Sequence, residues 1–590
     1  MKINQKYVII MLVLLVVNVG VAQEQVDRNV TIEREFQPVI QDAGKITGLP
    51  EVLQVKTTKE RIYYAEIYQP LPFEKNIVLL SAEEVLHQRR KNLTEAFIRL
   101  GGGNYWNTLG DISLPVIRNN NNRLDLRLNH TGTFGEKLHS FSRADLGYNH
   151  YFSTYDLYAG LGFSHQYFNY YGNNFYGTKG DTITRLKNFA SGFPVPLPAY
   201  KEQQLERITR SAQTVNLNDL ANSPQVDMLW RYNAHVGIRS LPNATGKKYH
   251  AELAYDVFKS DNGLQESILK MQYGFSNPLG ENRFGMDFEL SNLFYQEADT
   301  AKINFWDYYA VFSMNPYFLM ERDNWFLRAG VRTAFSFIHG RPFNPTPDIT
   351  AEWRVLPRFL SVYGGITGGF TLSTLNNIYA ENPYVYSDLR VKDTYTPINT
   401  YAGFKLKPLH NLLLDAFLDY RYIVDQYFFV NKAYFSSDIT GDKATLFTNR
   451  FNAVYSDAGL FRVGLRANYN YKNTVNIQLK GVYNAWDVKT ELHAWMKPAI
   501  EANISADVRI NRNLTASALL FYEGERYAKL GNAPFKMAPK VDVNLGATYT
   551  FNRTFSAFAK LNNLLNNKYQ QFYGYEVQGI NFMLGGAVSF

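Results

Sequence analysis

The sequence predicts an all-β protein: a transmembrane antiparallel β-barrel of about 22 strands, preceded by a short N-terminal segment lying in the periplasm or the lumen. Three observations lead there. Apolar and polar residues alternate with period two over runs of about eleven to eighteen residues, longer than a soluble sandwich needs. Tight Asn-rich turns fall at every second junction, with longer loops between them. The 42 Tyr, 41 Phe and 7 Trp make the chain 15% aromatic, an excess suited to rings that are half in lipid and half in water. A mean hydropathy of −0.28 argues against a bundle of apolar helices but suits strands that need only every second residue apolar.

Taken in order, residues 1–22 read as a secretory signal peptide. Lys2 and Lys6 precede the apolar run Val8–Val17, and Gly20 and Ala22 suit cleavage near Ala22. Residues 23–93 are polar and punctuated by proline, with a short helix expected from the capping box Ser81–Glu84 to about Asn92. Residues 94–590 form the barrel. Leu124, Leu126 and Leu128 alternate with Arg123, Asp125, Arg127 and Asn129; Phe461, Val463 and Leu465 alternate with Arg462 and Arg466. Near the end, Val543, Leu545, Phe582 and Val588 are expected to face lipid, and Asn544, Asn581 and Ser589 a wet lumen. Turns are expected at Asn119–Asn122, Asn277–Asn282, Asn473, Asn511–Asn513 and Asn552–Arg553. Loops are expected at about 171–223, 374–393, 430–446, 525–536 and 565–578. The count of 22 requires residues 447–470 to be one strand, bent near Ser456–Gly459. The loop at 171–223 is long, contains FPVPLP at 193–198 and has room for a polar helix over 201–220. It either folds over the barrel mouth or lies on the surface.

Composition and spacing also exclude functions. With no cysteine there is no disulfide framework, thiolate metal site or lipoprotein anchor. The ten histidines are scattered without zinc-ligand spacing, and no GxSxG elbow is present. Gly101–Gly103 lacks the Lys-Ser/Thr of a phosphate loop and reads as a relaxed strand or a site of close backbone approach. The reading is therefore a non-enzyme with no metal and no cofactor. A formal charge of +8, two units of it from Lys2 and Lys6, gives no case for nucleic acid. Asp415, Asp419, Arg421, Arg462, Arg466, Asp507 and Arg509 are candidate lumen-facing charges. They either line a path for a ligand or ion, or pair across neighbouring strands.

The final stretch AKLNNLLNNKYQQFYGYEVQGINFMLGGAVSF resembles the end of TonB-dependent outer-membrane receptors, and VTIEREFQPVIQDAGKI with the later GNY strand resembles barrels of this type from Bacteroidetes-like bacteria. The resemblance implies a location in the cell outer membrane, contact with its lipid, and a terminal signal for the insertion machinery carried by Phe582, Leu584, Val588 and Phe590. Val30, Thr31 and Ile32 resemble a TonB-contacting strand. Receptors of this family also carry a plug domain longer than residues 23–93 allow, and no plug motif is present. Two functions stay open: solute uptake with a reduced or partner-supplied plug, or a non-transporting scaffold in an outer-membrane assembly, secretion or surface-lipoprotein complex.

Overall fold

The computed structural model describes residues 96–172, 226–241, 246–296, 308–386, 389, 391–436, 444–472, 474–530 and 533–590. The signal peptide, residues 23–93 with Val30–Ile32 and the expected helix, and the proline-rich part of the long loop lie outside these residues.

Twenty-two strands close into one antiparallel sheet. In chain order they begin β1 (Phe97–Gly103), β2 (Thr108–Arg118), β3 (Asn122–Thr133), β4 (His139–Tyr151), β5 (Tyr155–Asn169), β6 (Val226–Ser240), β7 (Lys248–Ser260) and β8 (Gln265–Leu279). They continue with β9 (Asn282–Gln296), β10 (Tyr308–Glu321), β11 (Trp325–Phe337), β12 (Phe343–Leu356), β13 (Leu360–Thr371), β14 (Thr394–Leu409) and β15 (Leu412–Ser436). The remainder are β16 (Ala444–Tyr471), β17 (Val475–Val488), β18 (Ile500–Arg509), β19 (Leu514–Glu523), β22 (Lys540–Thr550), β23 (Phe555–Asn562) and β26 (Asn581–Ser589). Two small hairpins, β20–β21 (Arg526–Leu530, Ala533–Met537) and β24–β25 (Gln570–Phe572, Tyr575–Glu576), sit in loops outside the barrel sheet.

Closure is made by β1, which pairs with β2 on one side and β26 on the other, Phe97 opposite Ser589. Phe590 N donates to Ala96 O at 2.8 Å, so the two ends of the barrel sequence meet at the turn end. The glycine run lies in this seam. A β-carbon on Gly101 would stand 2.8 Å from the Phe558 ring, and one on Gly103 or Gly585 would collide with the backbone of the facing strand. The same device recurs around the wall. Tyr158 lies opposite and over Gly237, Tyr317 over Gly285, Tyr363 over Gly403, Phe417 over Gly464 and Phe558 over Gly585. His235 and His250 cover Gly160 and Gly274 in the same way. A ring laid across a glycine fills the space left by the missing side chain and shields the exposed ladder.

Period-two alternation sorts the two faces. Leu161, Leu545, Phe582 and Leu584 are exposed on the outward face, while Arg99, Asp111, Asp419, Arg462, Asn544 and Ser589 are buried on the inward one. A spanning strand needs about 9–11 residues. The 25 residues of β15 and 28 of β16 therefore carry the sheet well past the bilayer on the loop side.

Two expectations change. Residues 430–446 are mostly strand, and only 437–443 remain between β15 and β16. The irregularity expected near Ser456–Gly459 lies on the partner strand instead. The β15–β16 register shifts between Ile423 and Gln426, and Asp425 takes a left-handed φ of 53°. Asp457 on β16 supports this bulge, accepting from Asp425 N at 3.1 Å and from Tyr422 Oη at 3.2 Å. A bulge strands a backbone N–H, and a short carboxylate facing it supplies the acceptor.

Candidate functional site at the loop-side mouth

The largest apolar core among the described residues sits at the loop end of the barrel and is built from loops. It unites Phe168 and Tyr170 near the end of β5, Leu229 and Phe258 on the wall, Tyr379 and Tyr384 after β13, Phe451 on β16, and Phe572 and Tyr575 in the last loop. Residues so far apart in the chain meet where polar contacts anchor the loops beside their packed rings.

The β13–β14 loop begins with helix α1 (Leu375–Glu381), capped by the Thr374 side chain, which accepts from Asn377 N at 3.1 Å. Glu266 on the wall completes the cap: it accepts from Leu375 N at 2.8 Å and from Asn376 N at 3.3 Å, placing an acceptor where the helix leaves its first N–H groups bare. Leu375, Ile378 and Tyr379 are buried, with the Tyr379 ring 4.9 Å from Phe258. At the other end of α1, Glu381 accepts from Lys497 Nζ at 2.6 Å and from Tyr427 Oη at 2.5 Å.

After α1 the chain runs as a strap along β16. Val385 bridges Phe451; Tyr386 N donates to Phe451 O at 2.9 Å, and Phe451 N to Tyr384 O at 3.0 Å. Asp393 closes the loop, accepting from Ser373 N at 3.0 Å and from Tyr309 Oη. Burial raises its carboxyl to about 7, with the Ser373 amide opposing that rise.

The last loop enters from the opposite side. Tyr575 stacks on Tyr384 with ring centres 3.7 Å apart and donates from Oη to Asn449 O at 2.6 Å. Asn449 Nδ2 in turn donates to Tyr170 O at 3.0 Å. Arg526, fully buried in the β20 hairpin, donates to Gln571 O at 2.8 Å and Gln570 O at 2.5 Å. Burial lowers the Arg526 guanidinium to about 10, and Glu523 works against that fall. Burial also drives Tyr384 and Tyr575 well above the ordinary phenol value, so both stay neutral donors. The result is a cap with a protein-like interior, held by neutral hydroxyls, one helix cap and one buried arginine.

The charges proposed from sequence lie on the wall below. Asp419 is buried between Arg462 at 2.7 Å and Arg421 at 3.3 Å, and Arg466 stands 3.5 Å from Asp415, which also accepts from Tyr363 Oη at 2.6 Å. The structure thus brings five of the seven into two cross-strand clusters. Asp507 is buried on β18, and Arg509 is exposed at the turn end. Sequence reasoning missed Arg99–Asp111 at 2.5 Å and Asp348, held at 2.8 Å by both Arg328 and Arg332. It also missed the cap. The available signal was ring density: Tyr569, Phe572, Tyr573 and Tyr575 crowd a loop that solvent alone would not require.

No protein-family model matches the sequence, and no match among curated proteins reaches significance. The structure does match solved barrels. The ferric-catecholate import receptor Fiu of E. coli K12 aligns at a TM-score of 0.58 with 11% identity, over 85% of this chain and 82% of that one. The ferric enterobactin receptor PfeA of Pseudomonas aeruginosa, in complex with enterobactin, aligns at 0.56 with 13% identity, over 84% and 81%. The siderophore receptor PirA of Acinetobacter baumannii aligns at 0.58 with 10% identity, over 85% and 81%. Closure at 22 strands, the turn and loop asymmetry and these alignments agree: the chain has the barrel fold seen in these solved receptors.

Proposed function

We propose that this chain is an outer-membrane uptake barrel whose loop-side mouth its own loops keep shut, with release of that cap as the gating step. The observation that carries the reading is the cap itself, set on a barrel whose fold neighbours import ferric siderophores. A 22-strand barrel is wide, and the larger members of this class hold plugged lumens. Residues 23–93, after signal cleavage near Ala22, and a partner protein are further candidates for filling it from the turn side, with TonB as the partner if Val30–Ile32 acts as a contact strand. The solute class taken over from the neighbours is a ferric siderophore.

A second reading is favoured by the depth of the cap. A core anchored by Arg526, Glu266 and Glu381 suits a barrel that stays closed and serves as a scaffold for other envelope proteins. The two readings part in one experiment. The chain and a variant lacking residues 374–392 are placed in planar bilayers and in a host stripped of its own siderophore receptors. Uptake through the intact chain, with conductance gained on deletion, supports the receptor. Failure of both, with stoichiometric co-purification of envelope proteins, overturns it in favour of the scaffold.

A further inference from the structure

The turn end of the barrel is basic, and one groove there combines cations with outward-facing rings. Lys247, Arg358, Lys472, Arg512 and Arg553 are exposed in the turns, against Glu281 and Asp323 among the described turn residues. Just above them lies an apolar band that includes Trp353, Leu409, Ile510 and Phe551, all exposed. Charge outside and apolar rings inside is the profile of a bilayer boundary.

Within this rim, Thr154, Lys247, Lys248, Tyr249, Tyr273, Phe275 and Asn277 line a groove of about 650 Å³. The register explains its two halves. Tyr249 faces Phe275 and Ala251 faces Tyr273 across β7–β8, so the three rings share the outward, lipid-contacting face. Lys247 stands in the turn just before β7, and Lys248, opposite Ser276 at the first position of the strand, borders the groove at its turn end. The Tyr273 and Phe275 ring centres are 6.2 Å apart, an apolar floor broad enough for an acyl chain. A neighbouring groove, lined by Glu281, Glu321, Arg322, Asp323, Asn324 and Trp325, has the opposite balance. Its arginine is held by Glu281 at 3.1 Å.

We infer that the first groove is a seat for an anionic phospholipid of the leaflet at the turn end, its phosphate against Lys247 and Lys248 and one acyl chain along Tyr249, Tyr273 and Phe275. The acidic groove next to it takes none. The inference rests on the membrane reading proposed above. In that setting it gives the barrel a fixed lipid contact that sets depth and orientation at the turn end.

The test is native mass spectrometry of the full chain in mild detergent, titrated with phosphatidylglycerol, phosphatidylethanolamine or inorganic phosphate. Wild type should retain phosphatidylglycerol in preference to the zwitterionic lipid. Lys247→Ser/Lys248→Ser should weaken retention roughly 30-fold, two surface cations being removed, and Arg322→Ser should leave it unchanged. Heat-modifiable mobility on gels verifies that each variant folds. Equal retention of the two lipids, an unaltered double variant, or displacement of the lipid by inorganic phosphate alone would overturn the site. A chain that stays soluble without detergent would instead overturn the membrane reading, so the two failures are distinguishable.

Discussion

Replacing Glu266 with alanine tests the cap at the contact where wall and helix meet. The carboxyl accepts from Leu375 N and Asn376 N, the first two amides of α1. A hydrogen bond contributes about 0.5–1.5 kcal/mol, and about 1.5–3 kcal/mol where the acceptor is charged. Glu266 is 1% exposed, so the cost of burying it offsets part of the two bonds. The balance is about 2–3 kcal/mol, or roughly a 30- to 150-fold rise in local opening at tenfold per 1.4 kcal/mol. Hydrogen exchange read by mass spectrometry should show that acceleration over Leu375–Asn382. Strands on the far side of the wall, such as β3 and β4, should keep wild-type protection. Glu266→Gln, which keeps one acceptor oxygen, should fall between. Exchange in α1 unchanged by Glu266→Ala would refute the view that this carboxylate holds the cap. Uniform acceleration across the barrel would show that it supports the wall instead.

Other perturbations address the remaining joints. The Asp393 carboxyl is raised in the folded state, so its stabilising contribution is complete below the unfolded value near 4 and is lost as pH rises through about 7. The strap should therefore be cut faster by protease at pH 8 than at pH 5.5, and Asp393→Asn should flatten that dependence. Gly585→Val drives a side chain into the Leu100 carbonyl and the Phe558 ring; overpacking of about 1–3 kcal/mol should lower the temperature at which the folded band disappears on semi-native gels. Asp419→Ala leaves Arg421 and Arg462 facing each other without their shared carboxylate. It should cost about 3 kcal/mol in urea unfolding from vesicles, and a less damaging double change of Asp419 and Arg462 to leucine would identify the stranded charge as the cause.

The strand count and the sidedness of the turns were legible in the sequence because each rests on local, period-two signals. Phe461, Val463 and Leu465 announce one face and Arg462 and Arg466 the other, wherever the rest of the chain lies. The single strand through 447–470 was legible too, but a pattern break at Ser456–Gly459 shows only where alternation falters. It does not show which partner absorbs the extra residue, and Asp425 does so by taking a left-handed backbone. The cap was illegible for a different reason. Its core joins Tyr170, Tyr384, Phe451 and Tyr575, one ring from each of four distant segments, and of these Phe451 alone lies in a barrel strand. Only loop lengths and closure of the barrel bring them within reach.

The rings laid over glycines have a consequence for how the wall assembles. Each is a key cut for one notch: Tyr158 finds Gly237 directly across, and a slip of two residues would set it against His235 or Arg239 instead. Five such keys of Tyr or Phe and two of His are spaced around the sheet, so an error in any one pairing is met by collision on one strand and a gap on the other. A nascent wall can thus reject a wrong neighbour at each addition, before the last strand reaches the first. Swapping a key and its notch across a strand pair, Tyr158→Gly with Gly237→Tyr, keeps the joint while reversing its sense, and should be tolerated far better than either change alone.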